Sequence, residues 1–265
     1  MSTAGLVLSC FPGLGLLDRG FEGEGFCVVR SPDVIWGGDI GTFHPPVGVF
    51  DGVIGGDPCQ SHSALVNLVR AKGLEPTFPD MTPEFQRVIE EARPRWFLRE
   101  NVPKAPDIKP AGYDVRTFLL DNWASLGEEQ QRRRRFWFGV RDGKCPELRR
   151  WIEFAFRIPS ASALSMDGGH DDGRRGHREG RKAPVTGRHD GHVGAPGVDY
   201  STRYTLAEML DLQGLPPTFL DHCPFTVAGK RKAIGNGVPQ AMARAIARAV
   251  AKAISSTAGS EGRRG

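Results

Sequence analysis

Apolar runs of strand length alternate with glycine-rich or polar turns and with amphipathic segments along the first half of the chain. Residues 83–92 have the spacing of a helix with a proline in its first turn. An alanine-rich stretch that ends near residue 254 predicts another helix. This alternation of element types predicts an α/β fold. The predicted strands are 6–9, 25–30, 49–54, 95–103 and 113–120.

A polar loop that carries a cysteine follows the third predicted strand. Residues 55–63 read Gly-Gly-Asp-Pro-Cys-Gln-Ser-His-Ser, and a helix-like stretch follows at 64–71. In open α/β sheets, ligands bind at the carboxyl ends of the strands, which is where Cys59 stands. A free cysteine is more often a buried core residue, but the polar neighbours of Cys59 argue against a core position. A following helix N-terminus would lower the pKa of this thiol and favour the reactive thiolate.

Two other strand ends suit a nucleoside ligand. Gly13 and Gly15 make a turn between the first strand and a helix, where a ligand can approach the backbone. A plain turn is the alternative, and the third glycine of the dinucleotide-binding fingerprint is absent. Asp33 follows the second strand, at a point where a carboxylate can accept hydrogen bonds from ribose hydroxyls. The alternative for Asp33 is a solvent-facing loop residue.

A carboxylate and a basic run stand at two later strands. Glu100 ends the strand at 95–103 in the phrase Glu-Asn-Val, and a structural ion pair is its alternative role. The spacing Gln131-x-Arg133-x-Arg135 precedes an apolar strand. Because residues two apart in a strand share a face, Arg133 and Arg135 are predicted to point into one site. A basic surface run is the alternative.

In this order, these elements resemble those of the DNA (cytosine-5) methyltransferases, over about residues 5–140 and 200–254. The short chain is most similar to compact phage-encoded members. The resemblance implies an α/β, Rossmann-like fold that uses S-adenosylmethionine (SAM). It also implies a mixed, mostly parallel sheet with helices on both faces, and a reduced target-recognition region. The closing element that resembles the family is Gly235-Asn236-Gly237-Val238-Pro239.

The resemblance also implies roles for individual residues. The catalytic residues would be Cys59, Glu100, Arg133 and Arg135. The contacts to SAM would be Phe11, Gly13, Leu14, Gly15, Asp33, Val34, Asp39, Ile40, Pro58 and Asn236. The substrate contacts would be Gln60, Ser63, Asn101 and Gln131. The helix that separates the sites of Asp33 and Asp39 in the family is predicted to be absent.

The implied reaction transfers a methyl group from SAM to carbon 5 of a cytosine flipped out of double-stranded DNA. Cys59 would add to carbon 6 as the nucleophile. Glu100 would give a proton or a hydrogen bond to N3 of the cytosine, which requires an environment that raises the pKa of the Glu100 carboxyl group. Arg133 and Arg135 would hold the base oxygen, Cys59 and Glu100. We expect a monomer in the cytoplasm of a bacterial or phage-infected cell.

Three alternatives remain at this point. One is an RNA (cytosine-5) methyltransferase of the same architecture, and another is a weakly active or non-catalytic DNA-binding accessory protein. A nicotinamide-dependent oxidoreductase would leave Pro-Cys-Gln and Glu-Asn-Val unexplained. Asp57 departs from the uncharged residue usual in the family, and a carboxylate there would raise the pKa of the thiol. Asp57→Pro is therefore expected to keep or raise the methylation rate.

Composition bounds the organisation of the chain. Its 265 residues, 39% of them hydrophobic, suffice for one sizeable domain or a domain with a small lobe. The five scattered cysteines indicate no disulfide framework, no apolar run approaches a membrane span, and residues 1–9 lack a secretory signal. The net charge of +4 is compatible with nucleic acid but is weak evidence by itself.

The chain is predicted to divide into a catalytic domain at 1–144, a reduced target-recognition region at 145–202, closing elements at 203–255 and a flexible tail at 256–265. Residues 147–156 predict a short helix, and 73–82 a mobile loop. The Gly/His/Arg-rich stretch from about residue 159 to residue 200 has too few large apolar residues to fold alone. Its four histidines are irregularly spaced, so we expect no metal site. They are His170, His177, His189 and His192.

Overall fold

The structure of the chain, a computed structural model, describes residues 4–58, 79–130, 132–154 and 204–261. Several predictions made from the sequence lie outside these residues. They concern the helix-like stretch 64–71, most of the loop at 73–82, the Gly/His/Arg-rich segment, and Cys59, Gln60, Ser63 and Gln131.

The described residues form six β-strands: β1 Leu6–Cys10, β2 Cys27–Arg30, β3 Gly52–Gly55, β4 Trp96–Asn101, β5 Tyr113–Asp121 and β6 Arg133–Arg141. These strands make one sheet with the order β2-β1-β3-β4-β6-β5. β1 runs parallel to β2 on one side and to β3 on the other, β3 runs parallel to β4, and β4 runs antiparallel to β6. The predicted α/β fold with a mixed, mostly parallel sheet is confirmed.

Helices follow or separate these strands within the described residues. They are α1 Leu16–Gly23, α2 Thr82–Ala92, α3 Asn122–Leu126, α4 Leu206–Leu212, α5 Val227–Asn236 and α6 Gln240–Glu261. The interval between β2 and β3 contains two short 3-10 turns, Val34–Trp36 and Ile40–Thr42, which agrees with the predicted absence of a helix there. None of these helices combines the length and the apolar composition that a membrane span requires.

The strands predicted at 25–30 and 49–54 begin later in the structure, at Cys27 and Gly52, and two helical segments also differ from the predictions. The helix predicted for 147–156 is, within the described residues, one 3-10 turn at Leu148–Trp151. Pro146 precedes it, and Ile152 has extended backbone angles that stop the turn. The last helix continues to Glu261, beyond the end predicted near residue 254. Alanine and serine in this stretch permit a helix that the apolar pattern alone does not extend.

The chain divides into two compact units. The first comprises Met1–Leu120, Arg133–Ile152 and Ala243–Gly265. The second comprises Asp121–Arg132 and Glu153–Met242. The closing elements predicted at 203–255 are therefore shared between the two units.

The core of the first unit forms because the buried faces of its elements have the expected periods. In α2, the buried residues Phe85, Val88, Ile89 and Ala92 recur at i, i+3, i+4 and i+7, which places them on one side of the helix. Every residue of β3 and β4 is buried, as expected for central strands covered on both faces.

Close packing in this unit depends on a glycine in α1. A Cβ on Gly20 would lie 2.5 Å from the backbone carbon of Ala243 in α6, a distance that real Cβ atoms do not show. Gly23, three residues later in the same helix, has no such neighbour within 4 Å. The two glycines therefore make a matched pair for testing the α1–α6 contact.

We predict that Gly20→Ala destabilises the protein by about 1–3 kcal/mol, because α1 and α6 must separate to admit the methyl group. Gly23→Ala should leave stability unchanged or raise it by up to about 1 kcal/mol, since alanine favours the helical state. Urea unfolding followed by circular dichroism measures both. Equal effects of the two substitutions would contradict the close approach of α1 and α6.

Candidate active site

The glycine-rich turn after β1 has an unusual backbone conformation. Phe11, Gly13 and Gly15 have φ values of 53°, 54° and 72°, and the Gly15 N–H donates to Pro12 O over 2.7 Å. A Cβ on Gly13 would meet no atom within 4 Å, so the turn faces open space on that side. Leu14 is partly buried between the two glycines. The turn thus leaves room for a ligand beside the start of α1.

A network of hydrogen bonds around the buried Asp18 lies beside this turn. A Cβ on Gly15 would lie 2.6 Å from Nη2 of Arg30 at the end of β2. Arg30 Nε donates to the Asp18 carboxylate over 2.7 Å, and Ser9 Oγ donates to the other oxygen over 2.6 Å. Asp18 thereby links β1, α1 and β2. Sequence reasoning missed it, although an acidic residue in the first turn of a helix was a visible signal.

Asp33 and the glycine-rich turn are joined directly. Asp33 Oδ2 accepts the Gly13 N–H over 2.9 Å, and Asp33 Oδ1 accepts the Ile35 N–H over 3.0 Å. The indole N–H of Trp36 donates to Gly13 O over 2.9 Å. Two residues predicted to bind the same ligand are thus brought together. The side chains of Val34 and Trp36 are exposed, at 75% and 53%.

Trp36 was not predicted as a site residue. Trp36 stands in a stretch between two predicted strands, next to two glycines. A large aromatic side chain outside any predicted strand or helix is a signal that a sequence reading can use. Asp39 and Ile40 lie on the next turn. Asp39 Oδ1 accepts the Gly41 N–H over 2.8 Å, while the buried Ile40 has its carbonyl oxygen held by Arg87 Nη2 at 2.8 Å.

Asp57, next to Pro58, is paired and buried in the structure. Its carboxylate accepts Arg99 Nε over 2.5 Å and Arg99 Nη2 over 2.8 Å, and both side chains are 0% exposed. Thr82 Oγ1 donates to the same carboxylate over 3.0 Å. The expectation for Asp57→Pro took account only of the effect of the carboxylate on the thiolate, and this ion pair was not foreseen from the sequence. Removing Asp57 alone would instead leave the buried Arg99 cation without its carboxylate.

Glu100 lies against the segment that leads to Cys59. A Cβ on Gly56 would be 2.8 Å from both the backbone oxygen and Oε2 of Glu100, so only glycine fits there. Glu100 Oε1 is 2.7 Å from Arg134 Nε, and the two side chains are 10% and 15% exposed. Asn101 Nδ2 donates to Asp57 O over 3.0 Å, so Asn101 ties β4 to the same segment.

The arginine pairing predicted for Glu100 is shifted by one residue. Arg134, not Arg133 or Arg135, contacts Glu100. Arg133 is exposed, and Arg135 Nη2 contacts Asp107 Oδ1 at 2.6 Å. Alternation along β6 explains the shift, since Arg133 and Arg135 share the face opposite to that of Arg134. Consecutive arginines satisfy the spacing in two registers, so the sequence did not distinguish them.

The second unit holds Asn236 and the residues around it. Arg132 Nη2 donates to Gly235 O and Gly237 O, each over 2.9 Å, and so grips the backbone on both sides of Asn236. Gln130 Nε2 donates to Leu212 O over 3.2 Å. Asn236 is the exposed last residue of α5. Its predicted contact with SAM stays a prediction.

The described cysteines differ in their chemical state. Burial raises the pKa of the Cys10 thiol far above its ordinary value, so this cysteine beside the glycine-rich turn is not a nucleophile. Burial likewise raises the pKa of Cys145 to about 11. Cys27 is exposed on β2, and Cys223 is partly buried.

Comparison with known proteins places these features in a family. Residues 38–167 match the family model of C-5 cytosine-specific DNA methylases. The chain is 28% identical over 193 residues to the type II methyltransferase M.NgoPII of Neisseria gonorrhoeae, covering 60% of this chain and 52% of that protein. It is 30% identical over 164 residues to M.FnuDI of Fusobacterium nucleatum, covering 51% and 46%. The chain spans about half the length of these relatives.

Solved structures share the fold at low sequence identity. The Dnmt2 methyltransferase of Schizosaccharomyces pombe superposes with a TM-score of 0.61 at 13% identity, covering 96% of this chain and 99% of that one. A DNA modification methyltransferase encoded within an Escherichia coli prophage gives 0.57 at 18% identity, covering 96% and 100%. These solved structures show that the chain has their fold, and the match of residues 38–167 together with the curated relatives supports the DNA (cytosine-5) methyltransferase family for this chain.

Proposed function

We propose that this chain methylates carbon 5 of cytosine in double-stranded DNA, with SAM as the methyl donor. The observation that carries the proposal is the contact between Glu100 and Gly56, which brings a buried carboxylate against the segment that leads into Pro58-Cys59. Arg134 adds a cation on the other carboxylate oxygen. This combination offers a hydrogen-bonding group for N3 and a cation that stabilises developing charge, and a covalent addition to cytosine requires both.

The residues fit the donor in three respects. The turn at Gly13 opens to solvent, Asp33 places a carboxylate at the end of β2, and Val34 and Trp36 expose apolar surface beside it. A nucleoside needs a backbone approach, ribose acceptors and an apolar face for its base. SAM, when bound, supplies the methyl group. The site lies at the carboxyl ends of β1 and β3, where the strand order reverses.

The chemistry follows from the weakness of carbon 5 as a nucleophile. The Cys59 thiolate adds to carbon 6 of the ring, which makes carbon 5 enamine-like. Charge that develops on the ring is met at N3 by a proton or hydrogen bond from Glu100, and Arg134 holds that carboxyl group in position. After carbon 5 has taken the methyl group of the donor, loss of the carbon-5 proton to water and elimination of the Cys59 thiolate restore the aromatic ring. A duplex hides carbon 6, so the cytosine must first leave the stack.

Further parts of the proposal concern setting. We propose that Gln60, Ser63 and Gln131 contact the substrate, and that the protein acts as a monomer in the cytoplasm of a bacterial or phage-infected cell.

Base-resolution sequencing of cytosine methylation in DNA from cells that express the chain tests the activity and reports the target. Parallel sequencing of their RNA separates this function from RNA methylation.

A covalent trap tests Cys59. The protein should form an adduct with duplex DNA that carries 5-fluorocytosine, because fluorine cannot leave as a cation and elimination stalls. Cys59→Ser should abolish this adduct, as measured by a mobility shift in denaturing gels. Cys27→Ser is the matched control, since Cys27 is an exposed thiol on β2. An adduct of equal yield in Cys59→Ser would remove Cys59 from its role.

Neighbouring arginines test the register of β6. Arg134→Gln should lower the single-turnover rate of methyl transfer by about a hundredfold, because it removes the cation that holds Glu100. Arg133→Gln should have an effect at least about tenfold smaller at saturating DNA, since its side chain is exposed. A larger loss from Arg133→Gln than from Arg134→Gln would restore the register predicted from the sequence.

A further inference from the structure

The Asp57–Arg99 pair is the most completely buried charge pair that the structure describes. Arg99 uses Nε and Nη2 on Asp57, and its Nη1 donates to Pro106 O over 2.7 Å. Arg99 Nη2 also donates to Thr82 Oγ1 over 3.0 Å, and Thr82 in turn donates to Asp57. The arginine thus joins the end of β3, the start of α2 and the loop after β4.

The position of the pair in the sequence links it to the proposed chemistry. Asp57 precedes Pro58-Cys59, and Arg99 precedes Glu100. Because side chains alternate along a strand, Arg99 and Glu100 leave opposite faces of β4. Glu100 therefore faces Gly56 and Arg134, while Arg99 grips Asp57. Asn101 adds a bond to Asp57 O, so three consecutive residues of β4 touch this segment.

Aromatic and charged groups complete the surroundings of Arg99. The centre of its guanidinium is 4.6 Å from the ring centroid of Trp137, and that of Arg135 is also 4.6 Å from it. Asp107 Oδ1 accepts both Arg135 Nη2 and the indole N–H of Trp137, over 2.6 and 2.8 Å. Each arginine thus has its own carboxylate, and the shared ring adds cation–π attraction to both.

We propose that Asp57 and Arg99 are positioning residues that hold the segment from Gly56 to Pro58, which directly precedes Cys59 in the chain, in register with Glu100. The inference rests on the proposed function. Neither residue touches the base in this role. A bidentate guanidinium–carboxylate pair fixes orientation as well as distance, which a single hydrogen bond does not. A covalent addition needs its nucleophile and its acid in fixed geometry, and small misplacements cost large factors in rate.

The pair also explains how this chain accommodates a carboxylate two residues before its cysteine. Arg99 neutralises Asp57 at 2.5 and 2.8 Å, so the segment enters the site without net charge from this pair. Removing one partner leaves an uncompensated buried charge, whereas replacing both leaves none. The loss of rate in the double variant should therefore be smaller than the product of the losses in the two single variants.

A double-mutant cycle tests the inference. Asp57→Asn keeps the shape of the side chain, Arg99→Met keeps most of its length, and the third variant carries both changes. Glu24→Gln is the matched control, because Glu24 pairs with Arg248 over 3.1 Å at the surface and lies outside the proposed site. For each variant we would measure melting temperature, SAM and DNA dissociation constants, and the single-turnover rates of methyl transfer and of adduct formation with 5-fluorocytosine DNA.

Each single substitution should lower both single-turnover rates by about tenfold or more at a temperature at which the variant is folded. It should lower the melting temperature by roughly 6 °C or more. Dissociation constants should stay within about threefold, because the pair holds the catalytic segment rather than a ligand. The double variant should recover at least about tenfold in rate over the product of the two single effects. Glu24→Gln should match the unmodified protein.

Three outcomes overturn the inference. Rates that equal those of the unmodified protein in folded single variants show that the pair acts on stability alone. Single effects that multiply in the double variant show that the two residues are not coupled. Losses confined to the dissociation constants place the pair in ligand binding instead. Failure of the unmodified protein to methylate or to form the adduct would overturn the proposed function itself, and the same assays separate that result from the other three.

Discussion

The structure depends on how closely its neighbours approach β3. Three of the five residues from 52 to 56 are glycines, and other groups occupy the space that their side chains would take. The indole of Trp96 lies 2.3 Å from a Cβ placed on Gly52, and Cys10 O lies 2.3 Å from one on Gly55. Glu100 occupies the corresponding space at Gly56. Because interiors are close-packed, these positions admit no substituent unless a buried indole ring or a neighbouring backbone moves.

This close approach creates the electrostatic problem that the site solves. Once the ends of β3 and β4 lie together, Asp57 and Arg99 are both removed from water and must satisfy one another. Asp57 and Arg99 pair on one face of β4, and Glu100 meets Arg134 on the other. The two charge pairs stand back to back across one strand. Packing of backbone against backbone and pairing of charges are therefore parts of one arrangement in this protein.

Much of the fold and part of the site were predictable from local patterns. Apolar runs of strand length located β1 and β4, and period-3.6 spacing located α2, to within a residue or two at most ends, because burial on both faces or on one side imposes those patterns. The sequence also singled out the glycine-rich turn and Asp33, and the structure joins them through a hydrogen bond from the Gly13 N–H to Asp33. The face of the sheet that each arginine of β6 occupies was not predictable, because four consecutive arginines leave no apolar position among them to mark the inward face.

The sequence by itself determined the kinds of elements, their order and the strand ends at which Asp33 and Glu100 stand, since these follow from residue spacing and turn chemistry. Only the tertiary structure decided which charges meet. Asp57 and Arg99 are 42 residues apart, and neither residue marks the other in the chain. Arg134 and Glu100 pair only because β6 lies antiparallel to β4 in one register. Charge pairing acts over a few ångströms, so it is specified by the fold that brings distant residues together.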